Sequence, residues 1–83
     1  MYYVYVLRSK KNGYRYIGHT NNIERRLKEH NLGLTKSIRF QIPFGLEYIE
    51  SYPTRLEAIR REKYLKTGQG RGWLNEIKDK KTG

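Results

Sequence analysis

The first apolar run of the chain, YYVYVLRS over residues 2–9, is rich in tyrosine and β-branched residues and predicts a strand. KKNG follows, with an Asn-Gly pair suited to the positive φ angles of a hairpin turn. A second strand-like run begins at Tyr14, so residues 2–8 and 14–19 are expected to form a β-hairpin. If the connection holds an even number of residues, odd positions of the first strand share a face with even positions of the second. Tyr3, Tyr5 and Leu7 then stand beside Tyr14, Tyr16 and Gly18.

Further along, NIERRLKEHN reads as a helix capped by Asn21 or Asn22, with Glu24 and Lys28, and Arg25 and Glu29, at the favourable i,i+4 spacing. GLTKSIRFQIPFG, with Pro43 and several basic residues, reads as a loop, and LEYIESY as a third strand. TRLEAIRREKYLKTG opens with Thr54 and Glu57 at capping-box spacing and closes on Gly68, an expected left-handed C-cap. GRGWLNEIKD predicts a short last helix that turns Trp73, Leu74 and Ile77 toward the core. The expected fold is α+β, a small three-stranded antiparallel sheet flanked by helices in the order ββαβαα. One domain spans residues 1–78, and residues 79–83 are expected to be a basic, frayed tail.

Two charged residues fall on the wrong side of their helices. With Arg26 at zero on a wheel of 3.6 residues per turn, His30 lies at about 40°, Ile23 at about 60° and Leu27 at about 100°. Arg26 and His30 therefore border the apolar stripe, whereas Arg25 points away from it. In the next helix Ala58, Ile59 and Leu65 all lie within about 60° of Glu62, which puts that carboxylate on the buried side. A carboxylate there must be paired, hydrogen-bonded or bound to a cation. A structural ion pair with Arg55, Lys66 or Arg26 would satisfy it, and so would a metal ion.

Composition narrows the partners. Eighteen Lys and Arg against eight Asp and Glu give a net charge of +10 on 83 residues, which points to a polyanion. The longest apolar run is far too short to span a bilayer, so no membrane partner is expected. Cysteine is absent, which excludes disulfides and thiolate metal sites. No basic leader with an apolar core precedes the first strand, so the expected location is the cytoplasm. The alternating tyrosines have an ordinary reading as packing. His19 and His30, each in a different local context, do not make a two-histidine metal motif.

Taken together, these residues resemble the GIY-YIG nuclease superfamily, and more closely its small stand-alone bacterial branch. YVY, Tyr3 to Tyr5, stands where that family has its first triplet, and YIG, Tyr16 to Gly18, is the second triplet in full. Tyr5, Tyr16, Arg26 in IERRLKEH and Glu62 in EAIRREKYLK follow the family's order of two tyrosines, an arginine and a metal-binding glutamate. The likeness covers roughly residues 2–75 and selects Arg26 over Arg25 and Glu62 over Glu57, as the helical wheels do. His30, four residues after the arginine, matches a position used in some members. Many relatives carry a lysine where this chain has His19, and Tyr3 replaces the glycine of the first triplet. Asn75 is the one candidate for the asparagine that often follows the glutamate helix.

The resemblance implies hydrolysis of a phosphodiester, most simply in DNA, with one divalent metal ion, Mg²⁺ or Mn²⁺. Glu62 would ligate that ion, which keeps most of its waters, and Arg26 would grip a nonbridging phosphate oxygen through its planar fork. Tyr5 and Tyr16 would orient the attacking water, one of them as general base. A phenol with a reference pKa near 10 needs nearby cations to lower it for that task. Gly18, His19, His30 and Asn75 would be accessory. The rival reading is a noncatalytic nucleic-acid-binding module on the same scaffold, and a third is an accessory subunit of a larger assembly. A monomer is expected, and a double-strand break would need a dimer or two visits.

Overall fold

The computed structural model describes residues 1–82, with side chains described through Ile77. Three strands, β1 (Tyr2–Ser9), β2 (Arg15–Thr20) and β3 (Phe44–Tyr52), form an antiparallel sheet in the order β2-β1-β3. Helix α1 (Ile23–Asn31) lies between β2 and β3, and α2 (Arg55–Leu65) and α3 (Gly68–Thr82) follow β3. The fold class, strand number and element order agree with those expected from the sequence.

Pairing in the hairpin sets Tyr5 opposite Gly18 and Leu7 opposite Tyr16, the face sharing that an even connection requires. Within the turn only Gly13 takes a positive φ, at 77°, and Asn12 does not. The buried Ser9 hydroxyl gathers the turn by accepting from the Lys11 and Asn12 backbone N–H groups and donating to the Gln41 carbonyl.

β1 is the central strand, and helices cover the sheet on both sides. On one face Val4, Val6 and Ile17 pack with Ala58 and Leu65 of α2 and Leu74 of α3, joined by Trp73 and Ile77. On the other, Tyr5 and Leu7 pack with Ile38 and Phe44, joined by Tyr16, Ile23, Leu27 and Ile42. Burial from both sides explains why β1 is continuously apolar rather than alternating.

Two local expectations are corrected. The segment read as a loop contains a 3₁₀ helix, Lys36–Gln41, whose Ile38 is buried against β1. Gly68 is not a left-handed cap, because α2 ends at Lys66 in right-handed geometry and Gly68 begins α3. The left-handed glycine belongs to α1. Gly33, with φ 77°, donates to the His30 carbonyl while the next N–H, of Leu34, donates to Glu29, the paired bonds of a Schellman motif.

The turn from α2 to α3 is tight instead. A Cβ on Gly70 would stand 2.1 Å from the Tyr64 carbonyl oxygen, so the approach requires glycine there. Asn22 and Thr54 cap α1 and α2 as expected, accepting from the Arg25 and Glu57 N–H groups. The i,i+4 pairs expected on α1 give way to others: Glu29 takes Arg26 at 3.2 Å, and Arg25 donates to Asn21. The expected domain boundary at residue 78 falls where side chains lie outside the described residues, and Gly83 lies outside them altogether; α3 itself runs to Thr82. No described helix is long and apolar enough to cross a membrane.

Candidate active site

The pleat and the glycine of the second triplet build the first half of the site. Tyr5 projects over Gly18, where a Cβ would stand 2.7 Å from the Tyr5 hydroxyl oxygen and 3.0 Å from Tyr16 Cε2. Only a residue without a side chain leaves room for both rings. Helix α1 closes over this face and brings His30 down on them. The Tyr5 hydroxyl lies 3.0 Å from His30 Nε2, and the His30 and Tyr16 ring centres are 4.8 Å apart. His30 is fully buried, and its Nδ1 meets the Thr35 hydroxyl at 3.0 Å, so both ring nitrogens are satisfied. Arg26, one turn earlier on α1, pairs with Glu29 at 3.2 Å and stands beside the Tyr5 hydroxyl.

Electrostatics in this half disfavour a tyrosinate at Tyr5. Burial first, and then the neighbouring Tyr16, push the Tyr5 phenol well above its usual value despite Arg26. Arg26 does lower the phenol, as expected of a nearby cation, but burial outweighs it. Burial, reinforced by Arg26, moves His30 below its usual value, so the imidazole is neutral at pH 7. A neutral ring donates through one nitrogen and accepts through the other, which suits its place between two hydroxyls.

The second half lies across the sheet. His19 pairs with Val4 and therefore shares the α2 face rather than the tyrosine face. Its Nδ1 is 2.6 Å from Glu62 Oε1, and Lys66 Nζ is 2.9 Å from Glu62 Oε2. Burial raises the Glu62 carboxyl, but the hydrogen bonds from His19 and Lys66 outweigh it and hold the group below the usual carboxylate range. Glu62 is therefore ionised at neutral pH, and it is partnered from both sides. Among the partners weighed from the sequence, Lys66 is present, whereas Arg26 turns to Glu29 and Tyr5.

Tyr5, Tyr16, Arg26 and His30 thus form one cluster and His19, Glu62 and Lys66 another, divided by the edge strand β2. Gly18 lies in the strand between them, and the Glu62 charge is close enough to help raise the Tyr5 phenol. Asn75 joins neither cluster. It lies exposed on α3 and accepts from the Arg15 guanidinium at 2.9 Å. Thr35 was missed from sequence because no periodicity marks the hydroxyl that satisfies His30. His19 as the partner of Glu62 was missed because 43 positions separate them. Among the described residues no three histidine, aspartate or glutamate side chains gather as a ready metal cage.

The structure thus sets a tyrosine pair and an arginine on one face of a three-stranded antiparallel sheet and an ionised carboxylate on the other, both beside the edge strand β2. The chain belongs to the GIY-YIG family, a nuclease family: the sequence profile of the GIY-YIG catalytic domain matches residues 1–77. Its relatives are UPF0213 proteins. It is 47% identical over 66 residues to one from Bacillus licheniformis, covering 78% of this chain and 67% of that protein. One from Staphylococcus haemolyticus is 35% identical over 80 residues, covering 95% and 96%. The solution NMR structure of a UPF0213 protein from Bacillus halodurans aligns over 94% of this chain and 86% of that one, with 34% identity and a TM-score of 0.56.

Proposed function

We propose that the protein is a divalent-metal-dependent endonuclease that cleaves DNA, with its centre at Tyr5, Tyr16, Arg26 and Glu62. The observation that carries this reading is the placement of the Arg26 guanidinium and the ionised Glu62 carboxylate on the two sides of one edge strand, each with its own partners, with tyrosines beside the glycine between them. A phosphodiester laid along that edge meets a cation fork from one side and a hard ligand from the other.

Arg26 binds a nonbridging oxygen of the scissile phosphate, and the Tyr5 hydroxyl holds the guanidinium in place. Tyr5 stays protonated because it is buried. Tyr16, only half-buried, is the tyrosine that water reaches, and it orients the attacking water. His30 fixes Tyr5 from behind.

Glu62 suits Mg²⁺ or Mn²⁺, since a single hard carboxylate with a substrate phosphate and retained waters is a common way to hold such an ion. When bound there, the ion stabilises charge on the phosphate and the leaving oxygen. His19 orients the Glu62 carboxylate through its Nδ1 contact.

A second reading has its own support. Both Glu62 oxygens are engaged, by His19 and Lys66, as in a structural ion pair, which favours nucleic-acid binding without cleavage. Incubation with supercoiled plasmid, with Mg²⁺ or Mn²⁺ and with chelator, separates the two. Metal-dependent nicking that Glu62→Gln and Arg26→Ala abolish, in proteins that remain folded, supports the enzyme. Binding without nicking of any nucleic acid supports the second reading.

A further inference from the structure

Adjoining the tyrosine and glutamate clusters, the described residues form a groove of about 470 Å³ along β2, lined by Arg8, Arg15, Arg71 and Asn75 together with Tyr16 and Lys66 at the edge of those clusters. Four of those side chains are cationic. Two carboxylates offset three of them: Glu47 lies 3.0 Å from Arg8 and 3.5 Å from Arg15, and Glu62 pairs with Lys66. Arg15 also donates to the neutral Asn75 amide, which turns the guanidinium toward α3. Arg71 is exposed and has no acid partner among the described residues.

We propose that this groove is a phosphate subsite, which holds the nucleotide next to the one being cut. The proposal deepens the endonuclease reading and rests on it for the identity of the chain that enters. Two residues of the groove touch that centre directly: Tyr16 belongs to it, and Lys66 bonds Glu62. Lys66, which bonds Glu62, and Arg71 line the same groove, so a phosphodiester chain that leaves the scissile position past Lys66 meets Arg71 next. Arg71, without an acid partner among the described residues, supplies the fork for a phosphate oxygen, and Lys66 and Arg15 supply the surrounding field. Asn75, which takes no part in the Glu62 cluster, has its place here instead: it holds Arg15 at the groove wall. The role of these residues is positioning and binding rather than chemistry.

The test uses metal-free protein, so that binding is read whether or not cleavage occurs. Short fluorescein-labelled DNA, single-stranded and duplex, is titrated by fluorescence anisotropy across a range of salt concentrations. Arg71→Glu is expected to weaken binding about tenfold and to lower the salt slope by about one. Arg71→Lys restores most of the affinity. Arg60→Glu, the same charge change on an exposed position of α2, measures the effect of net charge alone. In the cleavage assay Arg71→Glu raises KM while kcat stays within about twofold of the parent, a split that loss of transition-state binding alone would not give. Circular dichroism confirms that the variants are folded.

An Arg71→Glu protein that binds within twofold of the parent overturns the subsite, as does an equal loss in Arg60→Glu. Failure of the parent to cut any nucleic acid overturns the endonuclease reading instead. The binding comparison still decides whether the groove takes phosphate.

Discussion

His19 Nδ1 and Glu62 Oε1 lie 2.6 Å apart, a contact between the edge strand β2 and helix α2 that holds the carboxylate at the side of the sheet. Glu62→Gln removes the charge but keeps the shape. Weakening one part-buried and one exposed charge-assisted bond is expected to cost about 1 kcal/mol in stability. Cleavage in the plasmid assay should fall below detection, while DNA affinity without metal holds or rises because a negative charge is gone. Retained nicking by Glu62→Gln would show that the carboxylate serves the fold and not the reaction.

The two tyrosines should separate in opposite directions. Tyr5→Phe leaves the buried His30 Nε2 without its hydroxyl and takes the Tyr5 contact from Arg26, so a stability loss of about 1–3 kcal/mol accompanies any loss of activity. Tyr16→Phe removes a hydroxyl that makes no side-chain hydrogen bond among the described residues. Its stability should change by less than about 0.5 kcal/mol, and its cleavage rate should fall about 10²-fold or more. Urea unfolding beside single-turnover cleavage reads both quantities. Equal cleavage by Tyr16→Phe and wild type would move the water-orienting role to Tyr5.

Gly18→Ala tests the gap on which the tyrosine cluster depends. Its Cβ would stand 2.7 Å from the Tyr5 hydroxyl oxygen and 2.9 Å from Tyr5 Cζ, so a fully buried ring has to move. Overpacking of this kind costs about 1–3 kcal/mol. Cleavage should drop along with stability, because the shifted ring is the one that holds Arg26. Gly70→Ala meets backbone instead, and is expected to destabilise at least as much while leaving the activity of the folded fraction unchanged. Comparable activity losses per folded molecule in the two variants would contradict this division.

Acid should unfold the protein in two stages. His30 is buried neutral, with its folded pKa below the ordinary value near 6.5, so the unfolded chain takes up that proton first and stability declines as pH falls through about 6.5. Glu50 and Glu62 behave differently. In Glu50, burial raises the carboxyl, but hydrogen bonds from Arg61, Tyr48 and Tyr52 outweigh it, and both acids sit below the usual range. The stability they confer is present above about pH 4.3 and is lost as pH falls through their lower folded values. Melting temperatures between pH 8 and pH 3 give the profile. A flat curve between pH 7 and pH 5 would contradict a buried neutral His30, and Glu50→Gln should flatten only the lower limb.

Much of the site was legible because the relevant signals are local. Strand alternation placed Tyr5, Tyr16 and Gly18 together, and the 3.6-residue period singled out Arg26 over Arg25 and Glu62 over Glu57. The Schellman glycine of α1 stands at NLG, where a C-cap signal follows the helix just as it does at Gly68, and only the backbone shows that Gly33 and not Gly68 takes the positive φ. The 3₁₀ helix was not legible, because Ile38 earns its place by burial against β1 rather than by any repeat in KSIRFQ.

The strands, the main helices and the helix faces of Arg26 and Glu62 follow from the chain alone, because periodicity is a property of neighbouring residues. Which faces meet is set by the packing of the folded chain. It put α1 on one side of the sheet and α2 on the other, so that Arg26 and Glu62 approach β2 from opposite sides. It also gave Glu62 to His19 and Lys66, and Asn75 to Arg15. Those pairings depend on how helices dock on a sheet buried from both sides, and the packing that sets them joins residues far apart in the chain.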